Sequence, residues 1–269
     1  MFCTHLRICN LGLGLLLALS SVSTRAESLT PDIRSGSVSS QWPGVGTVYI
    51  DLGGGAFETC TGTVIAPRWV LTAAHCAGGS HYSFLVGNDY TSPVATYDAD
   101  QTFFDPSFDG SHLQNGHDLG LIHVVTDIPL LGFKLNSQPL ASGVNGSHAL
   151  AMGYGVTATN NNNTAKYIAT LTIASYDSRL VYSNSISPAP STCEGDSGGP
   201  LFVYDADGFP LILATTSYGD SATCSQTTVS AFDRVDADLA FITSHVGSGI
   251  CLNGQSCDGI LRDGFEPPL

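Results

Sequence analysis

Positive charge is scarce in this chain. Nine lysines and arginines face 23 aspartates and glutamates, which leaves a formal charge of −14. Such a surface repels phosphates and anionic lipid, so nucleic acid is not an expected partner. Long apolar runs are missing too. The run Leu11–Leu19 is interrupted by glycines and too short to cross a bilayer, and nothing after it is longer, so no membrane span is expected. The cysteines are scattered without a C-x-x-C pair, which argues against a zinc ribbon. Asp98, Asp100, Asp105 and Asp109 lack the D-x-D-x-D-G order of a calcium loop and read as a solvated acidic surface. No metal site is expected, and no internal repeat or low-complexity segment occurs.

What is there begins with a leader. Arg7, the apolar run, and the small and polar stretch Ser20–Ala26 have the layout of a secretory signal peptide cut before Glu27. The expected location is therefore extracellular or periplasmic. Cys9 precedes the apolar run, which argues against a lipid-anchored amino terminus. Losing residues 1–26 removes Arg7 and Arg25 and no acid, so the charge goes from −14 to −16. Cys60, Cys76, Cys193, Cys224, Cys251 and Cys257 remain, an even number suited to an oxidising compartment. About 240 residues are left, enough for one large all-β domain or two packed halves.

Residues 27–41 read as an extended arm or propeptide. The alternation after Trp42 and Pro43, through Val45, Val48 and Ile50, marks a half-buried strand, and Cys60–Ile65 the next. Further strand-like runs lie at Tyr82–Val86, Val94–Tyr97 and Leu119–Val125. A connector from about Pro129 to Gly146 separates two halves, about 42–130 and 147–235. Leu201–Tyr204 and Leu211–Thr215 form a hairpin around Asp205-Ala206-Asp207-Gly208. Asp236 is placed to cap a helix over about 236–246, with Leu239, Ile242 and Val246 on one face. A tail with a small cysteine loop follows over 247–269.

The chemistry is concentrated in Cys193-Glu194-Gly195-Asp196-Ser197-Gly198-Gly199-Pro200. A serine hydroxyl attacks an acyl carbon only when a base takes its proton and donors hold the developing oxyanion. Gly195 can adopt a conformation closed to other residues, which lets its N–H and that of Ser197 point at one spot. Upstream, Leu71-Thr72-Ala73-Ala74-His75-Cys76 offers a base, and Gly116-His117-Asp118-Leu119 offers an acid to orient it.

These three stretches, in the order His75, Asp118, Ser197, resemble the trypsin/chymotrypsin-like serine peptidases over about Trp42 to Val246, in a bacterial-type secreted form. The resemblance implies two packed six-stranded antiparallel β-barrels with a C-terminal helix. It implies a monomeric serine endopeptidase acting on protein or peptide substrates without metal or organic cofactor. Ser197 would be the nucleophile, His75 the general base and acid, Asp118 its orienting partner, and the N–H groups of Gly195 and Ser197 the oxyanion hole. His117 would point away from Asp118, since alternate strand residues face opposite sides. The bridges implied are Cys60–Cys76 and Cys193–Cys224, which leaves Cys251 with Cys257. Ser217-Tyr218-Gly219 would pair with the substrate backbone. Ser191 would floor the side-chain pocket, with Thr192, Gly219 and Ser230 on its walls. No aspartate stands at the floor, so uncharged side chains of small to medium size are expected to fit.

In the family, the residue matched by Asp196 is buried against an amine created by cleavage before an Ile-Val-Gly-Gly-like sequence. Residues 27–41 hold no such sequence, and their one basic residue is Arg34. A cut after Arg34, a contact from Arg34 itself, or the absence of a zymogen switch are the readings open. Two rivals use the same residues: a protease-like binding module without catalysis, and an esterase with the same triad.

Overall fold

The computed structural model describes Ile33 and residues 36–79, 81–157, 160–185, 189–220 and 228–255. The leader, Arg34, Cys224, Cys257 and the chain beyond Gln255 lie outside them. No helix among the described residues is long and apolar enough to cross a membrane.

The strands in chain order are β1 (Ser37–Val38), β2 (Val45–Gly53), β3 (Ala56–Ala66), β4 (Trp69–Thr72), β5 (His81–Val86), β6 (Ala95–Phe104), β7 (Gly120–Val124), β8 (Lys134–Leu135), β9 (His148–Gly153), β10 (Tyr167–Tyr176), β11 (Leu180–Ser185), β12 (Pro200–Tyr204), β13 (Pro210–Gly219) and β14 (Thr228–Arg234). One helix, α1 (Leu239–Val246), closes the order. The first barrel closes in the sequence β2-β3-β4-β7-β6-β5. The second runs β10-β11-β14-β13-β12-β9 and shuts through β9 against β10. All of these pairings are antiparallel, so the fold is the expected pair of six-stranded barrels. Closure leaves no sheet edge within either ring.

Each barrel is filled by the inward half of its alternating strands. Val48, Val64, Val70, Phe84, Ile122 and Val124 fill the first. Ala151, Leu171, Ile173, Val181, Leu201 and Phe232 fill the second. A third cluster joins the barrels: Trp42 sets its ring edge-on against Phe202 at 4.7 Å, with Leu71, Leu121, Phe133 and Ile242 around it. Full burial of one such side chain contributes about 1.5–3 kcal/mol, so this seam resists sliding of one barrel over the other. A site shared between barrels therefore rests on rigid walls.

Three ends differ from the sequence reading. The arm is already structural by Ile33, which is fully buried in the second barrel's core, and β1 adds to β10 through Ser37↔Ile168. The helix starts at Leu239, not at Asp236. Asp236 is held by Arg234 at 2.6 Å, and Asp238 stands at the helix entrance bonded to Arg179 instead of capping it. The chain after the helix is packed, not free: Ile250 is buried in the seam cluster, the Leu135 N–H donates to the Cys251 carbonyl at 2.9 Å, and the Asn253 N–H returns to the Leu135 carbonyl at 3.1 Å. The connector between barrels carries β8, which runs parallel to β13.

Candidate active site

Asp118 lies two residues before β7 and is fully buried. Its carboxylate accepts three hydrogen bonds. The His75 backbone N–H donates to Oδ1 at 3.0 Å, the His75 ring nitrogen Nδ1 lies 2.8 Å from Oδ2, and the Ser217 hydroxyl donates to Oδ2 at 2.5 Å. Three donors thus converge on one buried carboxyl group. Together they fix the ring with Nδ1 on Asp118 and leave Nε2 for other work. His75 itself sits on a single 3-10 turn, Ala74–Cys76. That turn is tied at one end by the Ala74 N–H to the Asp118 carbonyl (3.1 Å) and at the other by the disulfide Cys60–Cys76, with Cα atoms 6.3 Å apart. Closing a loop of this size is worth about 3 kcal/mol in the chain-entropy estimate.

Ser197 comes from the second barrel but is anchored on the first. The Thr61 N–H donates to its carbonyl at 2.8 Å, and Cys76 Sγ lies 3.9 Å from the same oxygen. Gly198 makes the approach possible. Its φ is 77°, and an added Cβ would fall 2.1 Å from Thr72 Oγ1 and 2.5 Å from the Thr61 carbonyl. Any side chain there would push the serine turn off the first barrel. No hydrogen bond joins the Ser197 hydroxyl to the His75 ring; such contacts commonly tighten only on a bound substrate. Gly195 takes φ 95°, a region L-residues avoid, and its carbonyl accepts from Thr61 Oγ1 at 2.9 Å. Among the described residues, neither the Gly195 nor the Ser197 N–H donates to an internal acceptor, so both remain available to a ligand oxygen.

Asp196 turns the other way, into the second barrel, where it is 1 % exposed. Its Oδ1 accepts the Gly155 N–H at 2.8 Å and its Oδ2 the Cys193 N–H at 2.9 Å. Gly155 must be glycine, because a Cβ would stand 2.5 Å from that carboxylate. Burial pushes the Asp196 carboxyl up to about 7, against the lowering effect of its two N–H donors. No cation pairs with it among the described residues. Lys166, also buried, directs its ammonium to the carbonyls of Trp42 (3.2 Å) and Val45 (3.3 Å), and burial lowers it to about 8.

The expected pocket residues lie together near the end of β13. Ser217, Tyr218 and Gly219 form its last three positions, with Tyr218 opposite Ala231 and Gly219 opposite Ser230 in β14. The Thr192 N–H donates to the Ser230 hydroxyl at 3.3 Å, which ties the nucleophile loop to that strand. Ser191 is buried with its hydroxyl unpaired. Glu194 and Asp220 are exposed. Cys193 and Cys251 are disulfide-bonded, while Cys224 and Cys257 lie outside the described residues.

One residue escaped the sequence reading, and another is oriented for a different reason than expected. Asp233, in β14, lies behind Asp118: its Oδ2 accepts the Asp118 N–H at 2.5 Å. Burial above all, then the nearby Asp238 and Asp118 charges, push its carboxyl up to about 8. The only sequence signal was an acid directly after Ala231-Phe232 in an apolar strand. His117 does point away from the Asp118 carboxylate's partners, but not through strand alternation. Asp118 is outside β7, and His117 is turned by a left-handed backbone, φ 66°.

Two β-barrels with a buried carboxylate, a histidine and a glycine-flanked serine gathered beside their junction are the frame of a serine hydrolase. The family model described as Trypsin matches residues 35–242, and the chain belongs to that trypsin/chymotrypsin-like family of serine peptidases. Among its relatives is the chymotrypsin-like elastase family member 1 of Canis lupus familiaris, 26% identical over 231 residues that cover 77% of this chain and 88% of the relative. The corresponding protein of Felis catus is 27% identical over 233 residues, 77% of this chain and 86% of its own length. Chymotrypsin-like elastase family member 3B of Homo sapiens is 27% identical over 230 residues, 77% of this chain and 85% of its length. Membership of a peptidase family implies protein substrates.

Proposed function

We propose that this chain is a secreted serine endopeptidase that cleaves peptide bonds through an acyl-enzyme on Ser197. The observation that carries the reading is the Asp118 carboxylate, buried and bonded at once to the His75 ring, the His75 backbone and Ser217. A carboxylate so held has one productive use, to keep the imidazole in the tautomer that carries its proton on Nδ1. Nε2 then takes the Ser197 proton as Oγ attacks the carbonyl carbon, and the imidazolium formed is stabilised by Asp118. The carbonyl oxygen, now an oxyanion, is received by the N–H groups of Gly195 and Ser197. His75 returns the proton to the leaving amine, the amide C–N bond breaks, and water repeats the sequence on the ester. The substrate backbone pairs with Ser217–Gly219, and the side chain before the scissile bond enters the pocket of Ser191, Thr192 and Ser230. Secretion is supported by the leader's arrangement and by the bridge Cys60–Cys76.

The deciding experiment is reaction of the purified protein with a serine-directed phosphonylating reagent, read by peptide mass, beside turnover of a protein substrate. Labelling at Ser197 with loss of proteolysis is expected. A protein that is not labelled there, or that turns over only small esters, refutes the reading.

A further inference from the structure

Ahead of Asp118 the chain passes through two left-handed residues, Gly116 at φ 75° and His117 at φ 66°. The conformation is free for glycine and uncommon for histidine, so something must compensate it. Its effect is to set the His117 ring between Asp105 and Asp238. Nδ1 lies 3.4 Å from Asp105 Oδ2 and 3.5 Å from Asp238 Oδ1, at the outer limit for a hydrogen bond. That nitrogen is closed off from water and has no hydrogen-bond partner, and the same is true of Asp238 Oδ2. Asp238 is 4 % exposed, so its unpartnered oxygen is a deep one. A buried polar atom left without a partner is costly, and here two stand in one cluster.

The geometry points to a binding site for one zinc-class divalent ion, held by Asp105, His117 and Asp238. In a tetrahedral site with bonds of about 2.0–2.1 Å, the donor atoms stand about 3.3–3.4 Å from one another. The 3.4 Å separation from Asp105 falls on that edge length; the 3.5 Å separation runs to the Asp238 oxygen that Arg179 holds, Oδ2 being the unpartnered one, and one donor atom from each of the three residues lies within 4.8 Å of the others. The supports around the ligands are also present. The Ser107 N–H holds Asp105 Oδ1 at 2.7 Å, and Arg179 Nη1 holds Asp238 Oδ1, which orients both carboxylates as outer partners of metal ligands do. Arg179 balances one of the two carboxylates, and a dication supplies charge for the other. One imidazole nitrogen with two carboxylates suits zinc or its neighbours, whereas calcium takes six to eight oxygens. The ion would brace the residue immediately before Asp118, and with it the turn that delivers Asp118 to His75.

The test uses the full chain as Ser197→Ala, freed of metal by chelation. Zinc is titrated by calorimetry and cobalt by its visible absorption. Binding of one equivalent, intense tetrahedral cobalt bands, and displacement of cobalt by zinc are expected. His117→Asn, which keeps a side chain tolerant of the left-handed backbone, and the isosteric Asp105→Asn should each weaken binding about a hundredfold or more. His112→Asn, at the exposed pair with Asp109, should leave it unchanged. Absence of binding, or binding that survives both ligand changes, overturns the site and leaves His117 simply placed between Asp105 and Asp238. Should His117→Asn fail to fold, Asp105→Asn decides alone.

Discussion

Replacing Asp196 by asparagine probes the one buried acid next to the nucleophile. The carboxyl titrates from 3.8 in the unfolded chain to about 7 in the fold because burial disfavours its charge. A raised carboxyl pKa means that the folded chain holds the extra proton between those values. The contribution of this group to stability is therefore greatest near pH 4 and below, falls as pH rises toward 7, and is level above that. The difference of roughly three pKa units corresponds to about 4 kcal/mol. Asparagine carries no charge at any pH, but it presents an NH₂ to one of the two N–H donors, from Gly155 or Cys193, at a cost of about 1–3 kcal/mol. The variant should thus be the less stable protein at pH 4 and the more stable one at pH 8. Between these two pH values the stability difference should swing by about 4 kcal/mol, a change unaffected by the constant cost of the mismatched amide. Urea unfolding at 25 °C, followed by intrinsic fluorescence in a Ser197→Ala background that prevents self-digestion, measures it. If the parent's advantage instead grows with pH, Asp196 has a cationic partner, and the reasoning from an unpaired carboxyl fails.

Other expectations follow from the same neighbourhood. Burial pushes the Asp233 carboxyl up to about 8, so Asp233→Asn is expected to keep kcat/KM at pH 7 within about threefold of the parent, whereas the parent alone should show an inflection near pH 8; a large loss at pH 7 would mean that Asp233 works as an anion. With no acid at the pocket floor, cleavage after small or medium uncharged residues should dominate. Ser191→Asp should raise turnover after arginine or lysine by about tenfold or more, since a buried cation without a partner is costly; a parent already selective for basic residues refutes that pocket. Truncation after Val246 should lower stability by about 2 kcal/mol or more through loss of Ile250 from the seam, measured by thermal unfolding; an unchanged melting temperature would show the tail to be dispensable.

Much of the site was legible because its parts are local. The turn around Ser197 is written in its glycines, since Gly195 and Gly198 occupy backbone conformations that other residues resist. His75 was singled out by the stretch Leu71-Thr72-Ala73-Ala74-His75-Cys76, which resembles the family's, and the strands by alternation with a period of two. The barrels followed from the family's order of three short stretches. Less legible were the ends. The burial of Ile33 and of Ile250 depends on which surface each meets, and Asp236, the residue read as a helix cap, is instead held by Arg234.

The sequence by itself thus supplied the period-two strand pattern and the order of His75, Asp118 and Ser197, which need only residue identity and spacing, while the two barrels and the place of Ser191 at a pocket floor came from the family that those stretches resemble. Only the tertiary structure decided that Asp233 sits against the Asp118 N–H, that Asp196 is buried with two N–H donors while Lys166 goes elsewhere, and that His117 lies between Asp105 and Asp238. These are encounters between residues up to 124 positions apart in the chain, Lys166 with Trp42 the farthest of them. The charge state of such groups is set by burial and by neighbours that no local pattern records.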